Sequence, residues 1–397
     1  MPGIDVDPRA KLVMVADPVE ALLEKRATDW APIRTTTDYK ELIADPEVDA
    51  VIVATPNDSH YEICMAAIAA GKHILAEKPL GLNCGQAVEM FQAAEKAGIK
   101  HMTAFTYRFA PSLRYLTHLA KSGKLGDLRH FRSQRFQDFP ETSWGWRQYK
   151  ATAGAGHVYD MTSHRSALDL PHSLPASGCL LPRSCCGCPR LLSQHDFVHP
   201  ALLPCRIDFA QDIMGPIESI TGSIATFCPR DKNPDGTDCA PSEVDDWTAL
   251  IGRFKNGATG VWEGSTVMKG YKFGGFGKEW AEVNGSVATA VYQMGDPNNL
   301  LFGKHGESLG ASRQPLRSLS KHSRAAAVKV LTSVVAEPIP VPPEFLVWGD
   351  SPRDPTKGKP SAVFRHDVIY ELTTAIVEDR AAVPSFKEGA MTQMVRA

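Results

Sequence analysis

The chain has 397 residues, 43% hydrophobic and 22% charged, which is ordinary globular composition. Its length predicts two domains, each with its own core. Lys plus Arg number 43 against 45 Asp plus Glu, so there is no basic field to attract nucleic acid or an anionic membrane. No apolar run reaches the length of a bilayer span, and Met1–Asp17 lacks the charged-then-apolar order of a signal peptide, so a cytoplasmic enzyme is expected.

The first half alternates strand and helix. Leu12–Ala16 (LVMVA) reads as a buried parallel strand closed by Asp17-Pro18, and a helix is expected from Val19 to Trp30. Asp49–Ala54 is the next strand, followed by Thr55-Pro56-Asn57 and a helix from Ser59 to Ala70, with Gly71 as its stop. His73–Ala76 is a strand followed by Glu77-Lys78-Pro79; a helix spans Gly85–Ala97, and His101–Phe105 is a further strand. This rhythm predicts a doubly wound parallel sheet, a dinucleotide-binding domain over residues 1–125.

After Leu128 the pattern changes. Ile217–Phe227, Thr248–Phe254, Ala258–Gly264 and Ala281–Gln293 read as longer strands punctuated by Asn256-Gly257 and Asn284-Gly285, and a last helix is expected over Ala362–Asp379. They predict an α+β domain over residues 126–397 with a large, open, mostly antiparallel sheet. The exposed face of such a sheet predicts a homodimer or homotetramer.

Two stretches interrupt this domain. Arg165–Cys205 is rich in Pro, Cys, Ser and Leu without a helix or strand period, and roughly forty structureless residues are unusual inside a domain. Leu309–Ala336 carries six Lys, Arg or His residues and no acid. Of nine cysteines, Cys179, Cys185, Cys186, Cys188 and Cys205 crowd into the first stretch, near His172, His195 and His199. Their spacing does not fit zinc knuckles, so no metal is expected and the stretch reads as an untemplated insertion.

The residues suited to chemistry lie after strand ends, where ligands of such sheets bind. Asp17 suits the ribose hydroxyls of an adenosine, or equally a helix cap. Thr55-Pro56-Asn57 and His60 suit a dinucleotide, with a plain capped turn as the alternative. Lys78 suits a substrate oxygen, where an ammonium stabilises a developing alkoxide; the alternative is a solvated Lys–Glu loop. In GAGHVYDMTSH (Gly154–His164), Asp160 and His164 share a helix face and suit acid–base work, with a surface pair as the alternative.

The order VIVATPNDSHYEICMAAIAAGKHILAEKPL, YRFAP, WGWR and AGAGHVYDMTSH resembles the glucose–fructose oxidoreductase and inositol dehydrogenase (Gfo/Idh/MocA) family from Leu12 to Ala390. The resemblance implies an N-terminal Rossmann domain and a C-terminal open-sheet substrate domain. It implies oxidation of a secondary hydroxyl of a sugar, inositol or related polyol by hydride transfer to a nicotinamide dinucleotide; the Asp17 carboxylate followed by Pro18 predicts NAD in preference to NADP. It assigns Lys78, Asp160 and His164 to catalysis, with Tyr107 added at the substrate. Around the cofactor it places Asp17, Thr55, Pro56, Asn57, His60, Glu77 and Lys78, with Arg108, Trp146 and Arg147 near nicotinamide or substrate.

The sequence departs from the family in three places. No GxGxxG occurs, so the first strand and pyrophosphate loop are expected to be missing. Excising Arg165–Cys205 joins His164 to Arg206-Ile207-Asp208 and restores the family spacing, which reads as translated non-coding sequence. Set against the family, the sequence is expected to stop before the last family strand. The competing readings are a dinucleotide-binding sensor without catalysis and an inactive chain from a defective gene.

Overall fold

The computed structural model describes residues 2–29, 33–156, 204–271, 279–304 and 338–394. Asp160, His164, the stretch 309–336 and all but the last two residues of 165–205 lie outside the described residues.

The first lobe opens with α1 (Pro2–Val6), β1 (Met14–Ala16), α2 (Glu20–Asp29), β2 (Arg34–Thr36) and α3 (Tyr39–Ala44). It continues with β3 (Ala50–Val53), α4 (Asn57–Ala69), β4 (His73–Ala76), α5 (Cys84–Ala97) and β5 (His101–Thr103). The β-branched run of β3 suits a strand covered on both faces. Helix α5 starts where the Asn83 side chain accepts from Gln86 N (3.0 Å) and stops at Gly98, whose φ of 68° admits no side chain without strain.

All pairings in this lobe are parallel, as expected, but they form two separate pieces: β1 pairs with β2, and β3–β4–β5 make a three-stranded sheet. Among the described residues no ladder joins β1 to β3, so the two strands present bare edges. Two short elements, β2 and α3, lie where the sequence offered no periodic signal.

The chain crosses through a 3₁₀ turn (Thr106–Phe109) and α6 (Pro111–Lys121) into the second lobe. There follow β6 (Leu128–Phe136), a second 3₁₀ turn (Gly145–Gln148), α7 (Lys150–Ala153) and α8 (Pro204–Met214). Strands β7 (Ile217–Ala225), β8 (Trp247–Phe254), β9 (Thr259–Ser265), β10 (Glu279–Gly285), β11 (Ala288–Gln293), β12 (Asn299–Lys304) and β13 (Ile339–Pro340) complete an eight-stranded sheet. Its order is β13-β12-β11-β10-β6-β9-β8-β7, antiparallel everywhere except between β6 and β9. The single strand expected over 281–293 is a hairpin, β10–β11, which turns at the Asn284-Gly285 signal.

Helices α6 and α8 cover one face of this sheet. Phe131, Phe209, Phe254 and Trp262 stack at its centre, with ring centroids 5.6–6.5 Å apart. The other face carries Ile251, 62% exposed.

Beyond the sheet lie α9 (Pro360–Val363), α10 (Asp367–Val377) and α11 (Phe386–Gln393). The start of α10 is fixed by buried Asp367, which accepts from Arg353 Nε and Nη2 (both 2.9 Å), Ser351 Oγ (2.8 Å) and Trp348 N (3.1 Å). Arg353→Met leaves that carboxylate buried without its cation, and is expected to lower unfolding free energy by about 3–5 kcal/mol in urea titrations. A loss below about 1 kcal/mol would mean that solvent reaches Asp367.

Buried Glu371 on α10 accepts from Trp348 Nε1, Arg380 and Val383 N, and so directs the chain back to the first lobe. There α11 completes the core: Phe386 and Ala390 pack with Ile63, Ile74 and Met90.

Candidate active site

The ends of β1, β3 and β4 carry the residues singled out by sequence. Asp17, just past β1, donates from its amide to Thr36 O (3.2 Å) and accepts at Oδ1 from Val19 N (2.9 Å). It thus serves as the turn residue that stood as its alternative. Its second oxygen, Oδ2, has no hydrogen bond among the described residues.

Past β3, Thr55 Oγ1 accepts from Ser59 Oγ (2.7 Å), and Pro56 is exposed. Asn57 is buried and donates from Nδ2 to Ala153 O (2.9 Å), which draws the segment bearing Trp146 and Arg147 onto the start of α4. The Arg147 guanidinium lies 4.2 Å from the Trp146 ring centroid.

Past β4, Glu77 N donates to Val53 O (2.8 Å), and Lys78 is 5% exposed. The solvated-loop alternative for Lys78 therefore fails on burial. His60 is fully buried, with Nδ1 2.8 Å from Pro79 O and Nε2 3.0 Å from Thr55 O. Burial lowers its pKa, with the Lys78 charge acting in the same sense and the two carbonyl oxygens opposing. Both ring nitrogens face carbonyl oxygens; the neutral ring donates to one of them and packs between the Thr55 and Pro79 loops.

Tyr107 and Arg108 lie in the 3₁₀ turn after β5. Arg108 forms a bidentate pair with Asp208 on α8, both contacts 2.7 Å. Burial pushes the Asp208 carboxyl up, to about 6, against the pull of Arg108. Burial also opposes the Arg108 charge, but Asp208 and Asp212 outweigh it and raise that pKa. The short bidentate geometry is that of a charged ion pair.

Sequence reading missed a polar patch on the covered face of the sheet. Arg135 Nη1 donates to Tyr107 Oη (3.3 Å) and lies 3.5 Å from Glu279 Oε2. Arg206 Nη1 donates to Ser133 Oγ (2.6 Å), and its Nη2 lies 3.3 Å from Glu279 Oε1. Arg365 is within the electrostatic reach of both Glu279 and Glu77; burial lowers its pKa and both acids oppose. The signal was present in β6, where Phe131, Ser133 and Arg135 alternate on the covered side, but its charge-rich sequence concealed a strand.

Of the three expected catalytic residues, only Lys78 is described. The segment leading to Asp160 leaves from Gly156, whose amide donates to Asp245 Oδ1 (3.0 Å). A Cβ on Gly156 would lie 1.9 Å from Asp245 O, so only glycine permits this approach. No metal-binding group of His, Cys, Asp or Glu occurs among the described residues, and Cys179, Cys185, Cys186 and Cys188 lie outside them. No helix among the described residues is long and apolar enough to cross a membrane.

Residues 2–105 match the family model described as oxidoreductase family, NAD-binding Rossmann fold. Residues 113–169 and 202–291 match the GFO/IDH/MocA C-terminal domain, so the two models together cover more than half of the chain. The chain belongs to the GFO/IDH/MocA oxidoreductase family. The C-terminal match passes over 170–201, inside the stretch that composition had set apart.

Among GFO/IDH/MocA relatives, levoglucosan dehydrogenase of Pseudarthrobacter phenanthrenivorans is 28% identical over 268 residues, 64% of this chain and 58% of that protein. The 1,5-anhydro-D-fructose reductase of Ensifer adhaerens is 38% identical over 138 residues, 35% of this chain and 41% of that protein. The chain thus matches about two- to three-fifths of the length of these relatives. A solved levoglucosan dehydrogenase in complex with NADH superimposes with a TM-score of 0.71 at 22% identity, covering 99% of this chain and 88% of that one, and shows the shared GFO/IDH/MocA fold.

Proposed function

We propose that this protein is an NAD-dependent dehydrogenase that oxidises a secondary hydroxyl of a sugar, inositol or related polyol. The observation that carries this reading is Lys78, a lysine 5% exposed at the end of a parallel strand, on a loop tied by His60 to the neighbouring strand end. A buried ammonium in that place suits a developing alkoxide far better than it suits solvent. The names of the relatives, which act on anhydrosugars, support the substrate class.

The residues present fit the adenosine half of NAD. Asp17 offers a carboxylate oxygen at the end of β1, and Thr55, Pro56 and Asn57 line the next strand end. Bound NAD supplies the hydride acceptor. Lys78 holds the substrate oxygen and stabilises its negative charge. His164 takes the hydroxyl proton and Asp160 orients it; both roles are carried over from the family motif. Tyr107, Arg108, Trp146 and Arg147 border the substrate and nicotinamide, with Arg108 acting through Asp208. Two copies, or four, associate through the exposed face of the large sheet, where Ile251 lies. The test is turnover: appearance of reduced nicotinamide from NAD with a panel of anhydrosugars, inositols and hexoses. Binding of NAD without turnover on any of them would favour a sensor.

Asp17 sets the choice of dinucleotide. A carboxylate accepts from both ribose hydroxyls of NAD, whereas NADP places a phosphate there, and like charges about 4 Å apart repel by roughly 4 kcal/mol at an effective dielectric near 20. Pro18 follows and offers no donor to a phosphate. After discounting for solvent, NAD is expected to lead by roughly 10²-fold in kcat/KM, and Asp17→Ser to erase that lead. Equal use of NADP by the unmodified protein would leave Asp17 as a helix cap only.

A further inference from the structure

The loop that carries Lys78 is held from two sides. On one side the His60 ring lies between Pro79 O and Thr55 O and donates to one of them. On the other, Gln393 near the end of α11 accepts from Gly81 N (3.2 Å) and donates to Gly81 O (2.9 Å). Gly81 and Gln393 are both buried, so neither backbone group has water as an alternative partner. A side-chain amide is the one group that answers the donor and the acceptor of a single residue together. A glutamate has no donor, and an asparagine is one methylene short.

Helix α11 is itself firmly placed. Thr103 N donates to Pro384 O (3.0 Å), Thr103 Oγ1 to Ser385 O (3.0 Å), and Phe386 N to His101 Nδ1 (3.1 Å). Ser385 and Glu388 form a capping box at its start. Gly389 lets the helix lie close, since a Cβ there would stand 2.6 Å from Thr103 Oγ1 and 3.1 Å from Leu80 Cδ2. An anchored helix thus presents Gln393 to the loop three residues beyond Lys78.

We propose that Gln393 and His60 are positioning residues that fix the Lys78 loop from opposite sides, so that α11 is part of the active-site scaffold. The proposal rests on the reading of Lys78 as the group that holds the substrate oxygen. With one anchor removed, the loop samples arrangements in which the ammonium leaves its buried position, and turnover falls while the lobe stays folded.

The test uses the full chain and does not depend on turnover. Lys78 is acetylated with an amine-reactive ester across a range of pH and followed by mass spectrometry, with exposed Lys40 as internal reference. Gln393→Ala is expected to raise the Lys78 rate about thirtyfold, the factor that loss of two net hydrogen bonds allows. Gln393→Glu, which keeps the acceptor and loses the donor, is expected to fall between, and guards against misfolding of the alanine variant. Hydrogen exchange should find the Gly81 amide protected in the parent and released in both variants. A lowered melting temperature with unchanged Lys78 rate and profile would make Gln393 merely structural and overturn the proposal. Faster labelling of Lys78 with full turnover would leave the clamp standing and overturn the catalytic role of Lys78.

Discussion

Lys78→Met is expected to lower kcat by roughly 10²–10⁴, the scale on which a group acting on the reacting oxygen contributes. Methionine matches the length of the lysine stem and tolerates burial, so the substitution removes the charge and keeps the volume. On the proposed reading Lys78 acts at the substrate oxygen while the dinucleotide is held mainly by the other strand ends, so NAD affinity is expected to change much less. His60 supplies an internal comparison. Its ring touches only the backbone of the two loops, so His60→Asn should cost less than Lys78→Met while moving in the same direction. Steady-state kinetics over a full NAD titration separates kcat from KM. Near-normal kcat in Lys78→Met would show that the developing charge is met elsewhere, with the Arg135–Arg206 patch the first place to look.

A second large effect concerns the bare edges of β1 and β3. In a doubly wound sheet a strand lying between them would end in the loop that receives the pyrophosphate, and the following helix would point its N-terminus at the phosphates. The sequence contains no GxGxxG to make that loop. Fusing a strand–glycine loop–helix unit of about 25 residues ahead of Met1 is therefore expected to tighten NAD binding by at least roughly 10²-fold. Two charge-assisted hydrogen bonds at about 1.5 kcal/mol each account for that factor. Calorimetry on the 397-residue chain and on the fusion gives the comparison. Micromolar binding by the chain alone, or equal binding by both, would mean that Asp17 and the Thr55–Asn57 loop suffice.

The parallel strands of the first lobe were legible because their apolar runs are short, β-branched and bounded by turn residues. His73–Ala76 was placed to the residue, and Cys84–Ala97 to within one. β2 was not legible: Arg34–Thr36 is three residues long with no apolar member, and its strand character comes from pairing with β1. β6 was hidden for the opposite reason. LRHFRSQRF carries its charges on both faces, since the covered face must pair Arg135 with Glu279 beneath the crevice. The candidate residues Asp17, Asn57, His60 and Lys78 could be singled out because chain order places them just past the ends of β1, β3 and β4. The site was not legible where distant segments meet. Nothing in YRF announces a partner 100 residues on, yet Arg108 is spent on Asp208. Nothing in the C-terminal helix marks Gln393, because its partner is a backbone group and leaves no side-chain signature.

The return of α11 also bears on how the chain is made. The core of the first lobe contains Phe386 and Ala390, which leave the ribosome only after the whole second lobe has been synthesised. Domains usually fold as units in order of synthesis. Here the first lobe waits, with its α5–β5 face uncovered, for a segment made after the second lobe. A nascent chain released before Phe386 would hold an open apolar cleft beside the Lys78 loop, a surface suited to a chaperone and a natural point at which truncated products are recognised.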